Sequence, residues 1–241
     1  MKTISDNTTL RVIDAGDSAL RALIMGEDRI EVWKQTHSLC QAIEDARISG
    51  VHGLAPTYDA ILIEFDPLFT THDAVRQMVH LLNKTVDASS FGTSPRHFHV
   101  PVVYGGELGP DLETVAEQLG LSPNELIDRH SQTSYVMRCF GAPAGSPMMD
   151  GPPLPAPVPR LSTPRLKVPS RSVEIAGRQG IIVSLSAPSG WPVIGQTPLE
   201  IVDITAPVLT PYRAGDIFTF EPITMNRWDE FAGNMLKAHD D

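Results

Sequence analysis

The sequence predicts an α+β protein in which a small N-terminal α/β domain precedes a C-terminal domain of short strands. Three observations predict this fold class. Strand-like and helix-like apolar patterns alternate over residues 1–90, as in a compact α/β unit. Prolines concentrate between Pro143 and Pro169. Short apolar runs separated by glycine-containing turns fill the remainder, which is typical of a small β-barrel or sandwich.

Composition limits the class of protein before any motif is considered. The chain has 241 residues, enough for one large domain or two modest ones. Its 41% hydrophobic and 20% charged residues exclude a disordered or fibrous protein. Acidic residues exceed basic ones by 29 to 19, a net charge of −10. A broad surface for nucleic acid or anionic lipid is therefore not expected.

The N-terminus and the cysteines bear on location. Residues 1–10 lack the apolar core of a secretory signal. No apolar run approaches the roughly 18 residues of a membrane span. Cys40 and Cys139 each lie in an apolar pattern and are predicted to be buried thiols in a reducing compartment. We therefore predict a cytoplasmic protein.

The N-terminal domain, residues 1–90, alternates period-two and helical patterns. A polar segment over 87–95 resembles a linker. The predicted elements are strands at 9–14, 19–25 and 60–65, helices at 35–48 and 73–83, and a loop at 50–58.

The C-terminal domain is predicted over residues 96–241. Its best local signal is a capping box at Ser122–Glu125, which predicts a helix ending near Arg129 or His130. The nine prolines from Pro143 to Pro169 are expected to exclude a helix or a central strand. The other predicted elements are a short helix from residue 112 and strands at 99–104, 135–140, 172–176, 180–185, 201–204 and 217–220.

Cofactor fingerprints such as a Walker loop, GxGxxG, CxxC or HExxH are absent from the sequence. His97 and His99 could present two imidazoles on one face of a strand, but a solvated or packed pair is the favoured interpretation. Glu107 and Asp111 are explained by helix N-terminal charge. His130 either interacts with a helix C-terminus or serves a site.

Two Pro-Arg pairs are the most informative chemical signal. Arg160 and Arg165 each follow a proline in an otherwise acidic chain. A guanidinium held by stiff backbone suits a carboxylate or phosphate, and a surface salt bridge is the alternative. Downstream turns carry Trp191 and Thr197, which could line a small-molecule pocket or be packed in the core.

Blocks of sequence along almost the whole chain carry a family resemblance. They include GDSAL at 16–20, GVHGLAPTYDAILIEFDP at 50–67, PVVYGGELGPDL at 101–112, the segment from Leu121 to His130, and the two Pro-Arg pairs. In this order they resemble the family of 5-oxoprolinase B subunits, also called allophanate hydrolase subunit 1. This carboxyltransferase-domain family includes KipI-type kinase inhibitors.

The resemblance implies a C-terminal barrel of cyclophilin-like type and an enzyme subunit that forms its pocket with a homologous partner, the C subunit. The substrate would be a small amide, lactam or urea-like compound. The complex would use ATP, or biotin if it is a carboxylase, and this chain alone binds no cofactor. The resemblance implies catalytic roles for His130, Arg160 and Arg165, substrate-binding roles for Gln179, Trp191 and Thr197, and no metal.

Departures from the family pattern leave the substrate open. Three aromatic positions are Ala142, Ser146 and Met148 here, Glu174 replaces a glycine, and Val183-Ser184 replaces Tyr-Pro. The lost aromatics are expected to enlarge or soften a pocket, so the substrate could differ from 5-oxoproline. A KipI-type inhibitor of a sensor histidine kinase, a urea-type carboxyltransferase subunit and a non-catalytic scaffold remain as alternatives.

Overall fold

A computed structural model describes residues 8–92 and 94–239. The chain divides into two compact units between residues 93 and 94, within the segment predicted to be a linker. Each unit is described by itself. Across the described ranges, every helix is too short or too polar to cross a bilayer.

The first unit is a four-stranded antiparallel sheet in the order β1-β2-β4-β3, with two helices. Apolar residues of the sheet and both helices form a single core cluster. The elements are β1 (Thr8–Asp14), β2 (Ala19–Gly26), α1 (Arg29–Ala46), β3 (Val51–Pro56), β4 (Ala60–Phe65) and α2 (His72–Asn83).

Two predictions for this unit were wrong: the start of the first helix, predicted at residue 35, and the loop predicted over residues 50–58. Helix α1 begins at Arg29, because the Asp28 side chain accepts hydrogen bonds from the N–H groups of Ile30 and Glu31 and so caps the helix. The predicted loop over 50–58 contains strand β3. That strand lies at the sheet edge, where glycine and proline are tolerated because one side needs no hydrogen-bond partner.

The second unit is a closed barrel of seven strands in the order β5-β12-β9-β10-β7-β6-β13, with β13 returning to β5. This confirms the predicted barrel. Strands β8 and β11 form a separate two-stranded sheet, and β14 pairs with the start of β5. The strands are β5 (His97–Tyr104), β6 (Tyr135–Gly141), β7 (Ser146–Asp150), β8 (Arg165–Val168), β9 (Ser172–Ala176), β10 (Gln179–Ile182), β11 (Ala187–Ser189), β12 (Val193–Gln196), β13 (Ile217–Pro222) and β14 (Ala238–His239).

Helices α3 (Leu112–Gln118), α4 (Pro123–Ser131) and α5 (Trp228–Phe231) accompany the barrel. The predicted capping box is confirmed: Ser122 Oγ accepts from Glu125 N–H, and Glu125 Oε2 accepts from Ser122 N–H at 2.8 Å.

Cys40 of the first unit and Cys139 of the second are free and buried, as predicted. Burial raises the pKa of the Cys139 thiol to about 11.

The prediction that proline density excludes a central strand was wrong. Strand β7 is a central strand of the barrel wall, because it pairs with β6 on one side and with β10 on the other. Its proline, Pro147, pairs with Phe140 of β6, while pairing with β10 starts only at Met148. The missing N–H of Pro147 therefore falls before the stretch that is paired on both sides, and Met148–Asp150 supply the required donors.

The strand predicted at 201–204 is not formed. The Asp203 N–H donates to the Leu209 carbonyl at 2.9 Å, and the Asp203 carboxylate accepts from Thr205 N–H at 2.9 Å. These bonds close a loop, because an aspartate side chain competes with strand pairing for the backbone donors beside it.

Candidate functional site

Arg165 makes a two-pronged ion pair. Its Nη1 donates to Asp111 Oδ2 and its Nη2 donates to Asp111 Oδ1, each at 2.7 Å. The Asp111 Oδ2 atom also accepts from Val193 N–H at 2.7 Å. Asp111 precedes α3 but makes no side-chain cap, so its carboxylate anchors Arg165 rather than the helix N-terminus. The salt-bridge alternative left open by the sequence therefore describes Arg165.

Arg160 has different surroundings. Its side chain is exposed and its guanidinium carbon lies 5.9 Å from the Trp191 ring centroid. Leu161 N–H donates to the Gly190 carbonyl at 2.8 Å, which ties the two segments together. Within the described ranges, Arg160 forms no ion pair. We call residues 159–165 together with 189–191 the Pro-Arg arm.

Glu174 lies beneath this arm on β9. Val173 and Ile175 point into the barrel core, so strand alternation places Glu174 on the outer face, where it is nevertheless only 3% exposed. Its Oε2 accepts from Ser189 Oγ at 3.0 Å. Burial raises the pKa of Glu174 to about 7, against smaller lowering effects of Ser189 and Arg165. In the sequence, Glu174 stands out only as a departure from glycine. The signal available there was a lone acid inside an apolar strand.

His130 lies elsewhere in the second unit. It is 1% exposed and packs against the rings of Tyr135 and Phe220. Its Nδ1 is 2.7 Å from the Tyr104 hydroxyl. Burial lowers the pKa of His130 to about 3, so the imidazole is neutral at physiological pH. The catalytic role of His130 stays a prediction, and this closed environment lends it no support.

Gln179 and Thr197 also lie away from the arm's hydrogen bonds. Gln179 is half-buried on β10, and its Nε2 lies 3.7 Å from Met148 Sδ. Thr197 is fully buried, and its Oγ1 accepts from Leu199 N–H at 3.3 Å, so it stabilises a turn. Their substrate-binding roles stay predictions. The roles of Arg160, Arg165 and Trp191 also stay predictions, although these three residues lie together in the Pro-Arg arm.

Two of the departures from the family pattern are neighbours. Ser146 Oγ donates to Ser184 Oγ at 3.0 Å, and Ser184 Oγ donates to the Ala144 carbonyl at 2.7 Å. Ser146 is fully buried. A buried pair of serines thus stands where the family pattern has an aromatic residue and a proline, and the expected enlargement of a pocket stays a prediction.

The histidine pair of β5 lies on the outside of the barrel. His99 Nδ1 is 2.7 Å from Thr219 Oγ1, and the His99 ring contacts that of His239 at 4.8 Å between centroids. In the part of the chain that the structure describes, no three His, Cys, Asp or Glu side chains are arranged to hold a metal ion.

The fold and the arm together define an α+β protein whose closed barrel carries a basic loop on its outer wall. Residues 10–211 match the carboxyltransferase domain, subdomains C and D. The chain is 32% identical over 219 residues to the B subunit of 5-oxoprolinase from Bacillus subtilis (strain 168), a match that covers 87% of this chain and 91% of that protein. The chain therefore belongs to this carboxyltransferase-domain family, and the resemblance drawn from its motifs is confirmed.

Solved structures agree on the fold. A conserved protein from Pyrococcus horikoshii is 32% identical with a TM-score of 0.52, covering 90% of this chain and all of that one. Kluyveromyces lactis urea carboxylase has a TM-score of 0.76 at 15% identity, covering 96% of this chain and 24% of that one. The latter likeness is one of fold alone.

Proposed function

We propose that this chain is the B subunit of a 5-oxoprolinase-like enzyme that uses ATP to process a small amide, lactam or urea-like substrate. The observation that carries the proposal is the identity of 32% extending over 91% of the 5-oxoprolinase B subunit of Bacillus subtilis. The proposal includes a homologous C subunit as partner in the pocket, and the cytoplasm, where ATP is available, as the location.

The Pro-Arg arm supplies the chemistry for such a substrate. Arg160 is exposed and free of a carboxylate partner among the described residues, so it can donate to a substrate carboxylate or to a phosphate formed on it. Trp191 offers the ring against which the guanidinium and a small ring substrate pack. Arg165 is engaged by Asp111 and acts as a positioning residue that holds the start of β8.

The test is ATP-dependent turnover by the complete complex. The chain is co-expressed with its homologous C subunit and with a third subunit, which the resemblance to 5-oxoprolinases implies. ADP release is measured with 5-oxoproline and with a panel of lactams and ureas. We expect Arg160→Ala to lower kcat/KM by about 10- to 100-fold, because a charge-assisted hydrogen bond is lost. We expect Arg160→Lys to retain part of the activity.

Arg178→Ala is the matched control, since Arg178 is exposed on the turn between β9 and β10, and we expect wild-type turnover from it. His130→Gln, Gln179→Ala and Thr197→Ser test the remaining predicted site residues in the same assay. Unchanged turnover in Arg160→Ala and Arg165→Ala would show that the arm is not the site.

A carboxyltransferase subunit is the second candidate, favoured by the carboxyltransferase domain that matches residues 10–211. It predicts bicarbonate-dependent carboxylation of a urea-like substrate when a biotin carboxylase and biotinylated carrier are added. Turnover that needs biotin would select this candidate over the first. Co-purification with a sensor histidine kinase, without the C subunit and without turnover, would select the KipI-type inhibitor instead.

A further inference from the structure

Glu174 is a buried carboxyl group with one oxygen left without a partner. The side chain is 3% exposed, and within the described ranges its Oε1 accepts no hydrogen bond. Leaving a charged oxygen unpaired away from water is unfavourable, whereas a neutral carboxyl group tolerates the position better. Burial at this position therefore favours the protonated, neutral form of Glu174.

A short chain of hydrogen bonds links Glu174 to the Pro-Arg arm. Ser189 Oγ donates to Glu174 Oε2 at 3.0 Å and accepts from Trp191 N–H at 3.0 Å. Trp191 in turn lies against the guanidinium of Arg160. A hydroxyl group has one proton to donate, and Ser189 donates its proton to Glu174 Oε2. The proton of a neutral Glu174 is therefore on Oε1, the oxygen without a partner. The proton state of Glu174 is thus connected to the turn that carries Trp191.

Two charged groups of neighbouring segments act on Glu174. They are Arg165 at the start of β8 and Asp111 before α3, which are paired with one another. The cross-strand neighbours, Ile181 on β10 and Val193 on β12, are apolar and buried. When Glu174 is neutral, the charges of Asp111 and Arg165 cancel, and the positive charge of Arg160 is uncompensated. When Glu174 is ionised, these four side chains carry an additional negative charge at a buried position.

We propose that Glu174 is a proton-dependent positioning residue that regulates anion binding at the Pro-Arg arm: the neutral carboxyl group permits tight binding and the ionised group weakens it. The proposal rests on the proposed function, because it takes the arm as the anion site. Burial that raises the pKa of Glu174 to about 7 puts the change within the physiological range. By linkage, an anion that binds the arm raises the affinity of Glu174 for its proton.

The test measures 5-oxoproline binding by calorimetry to the full chain in complex with its homologous C subunit. We expect the wild-type Kd to rise about three- to tenfold from pH 6 to pH 8, an effect of the size expected for one added charge near the site. At pH 7, titrations in buffers of different ionisation enthalpy should show uptake of a fraction of a proton. Glu174→Gln should bind at both pH values with the affinity of the wild type at pH 6, without proton uptake.

Glu117→Gln is the matched control, because Glu117 is exposed on α3, and it should keep the wild-type pH dependence. A Kd in Glu174→Gln that still rises with pH as in the wild type would overturn the proposal.

A second measurement separates this proposal from the proposed function. Absence of binding at either pH, for 5-oxoproline and for each lactam and urea of the panel, would count against the proposed function, and tryptophan emission then decides the role of Glu174. The contribution of Trp191 to the emission is obtained by comparison with Trp191→Phe. We expect this contribution to change with a midpoint near pH 7 in the wild type and to stay constant in Glu174→Gln. A Trp191 signal that is constant in the wild type, or that titrates equally in Glu174→Gln, would contradict the link between Glu174 and the arm.

Discussion

Arg160 and Arg165 occur in the same sequence context but have different electrostatic surroundings. Each follows a proline, yet the Asp111 carboxylate accepts from both terminal nitrogens of Arg165, while the guanidinium carbon of Arg160 lies 5.9 Å from the Trp191 ring centroid. The motif alone could not separate them, because Asp111 is 54 residues from Arg165 and its own context indicated a helix N-terminus. Only the fold brings that carboxylate to the second arginine.

His130 is predicted to control stability in acid. Its folded-state pKa of about 3 lies below the ordinary value of 6.5, so unfolding takes up a proton between these values. The contribution is fully present above pH 6.5 and is lost as the pH falls toward 3. In urea unfolding, we expect the wild type to lose about 3 kcal/mol more than His130→Gln between pH 7 and pH 4.

His99→Gln serves as the control for His130, since His99 is exposed, and it should follow the wild type. Identical pH profiles for the wild type and His130→Gln would show that the buried imidazole does not resist protonation.

Glu174 is predicted to have the opposite effect on stability. Its raised pKa of about 7, against an ordinary 4.5, means that the folded state holds the proton more tightly. Its contribution is fully present below pH 4.5 and is lost as the pH rises through 7. Relative to the wild type, Glu174→Gln should gain about 2 kcal/mol in the free energy of unfolding between pH 5 and pH 8, with Glu117→Gln unchanged. A constant difference between the two proteins would refute this.

At the scale of elements, strand β7 shows how position outweighs composition. The proline-rich region was expected to lack a central strand, but Pro147 precedes the residues that pair with both neighbours. What matters is which backbone donors the barrel needs, and that depends on register rather than on the number of prolines. The predicted capping box, by contrast, is satisfied within four residues and so was visible in the sequence.

Strand β12 is predicted to need glycine where it closes the barrel against β5. A Cβ on Gly195 would lie 2.7 Å from Val102 Cγ1 and 2.8 Å from the Val103 carbonyl oxygen. Such overlap forces the strands apart, so Gly195→Ala should cost about 1–3 kcal/mol and lower the midpoint of thermal unfolding.

The matched control is Gly180→Ala on β10, where the nearest atoms to a Cβ are 3.9 Å and 4.0 Å away. We expect its midpoint to equal that of the wild type. If the two alanine variants unfold at the same temperature, the close approach at Gly195 does not limit barrel closure.

At the scale of the whole molecule, each unit has its own core. The apolar cluster of the first unit and those of the second share no residue, and the Pro-Arg arm, Asp111 and Glu174 all belong to the second unit. We therefore expect residues 94–241, expressed alone, to unfold in one cooperative thermal transition and to keep the pH dependence of the Trp191 emission. A fragment without a cooperative transition would show that the barrel depends on residues 1–93.

The sequence by itself determined the features that depend on near neighbours or on many residues in one order. These are the α+β class, the barrel predicted from short runs and turns, the capping box at Ser122, the buried thiols and membership of the carboxyltransferase-domain family. Each is encoded in local periodicity, in a motif of a few residues, or in the succession of blocks along the chain.

The tertiary structure alone decided which charges meet. Asp111, Arg165, Glu174 and Ser189 come from four separate segments, and their pairing follows from the register of β9 and from the approach of β8 and β11 to the barrel wall. Burial then sets the chemistry: the same carboxyl group that would be ionised in water holds its proton near neutrality when strands exclude water from it. No pattern of residue types along the chain specifies that exclusion, because it results from surfaces that meet only in the folded barrel.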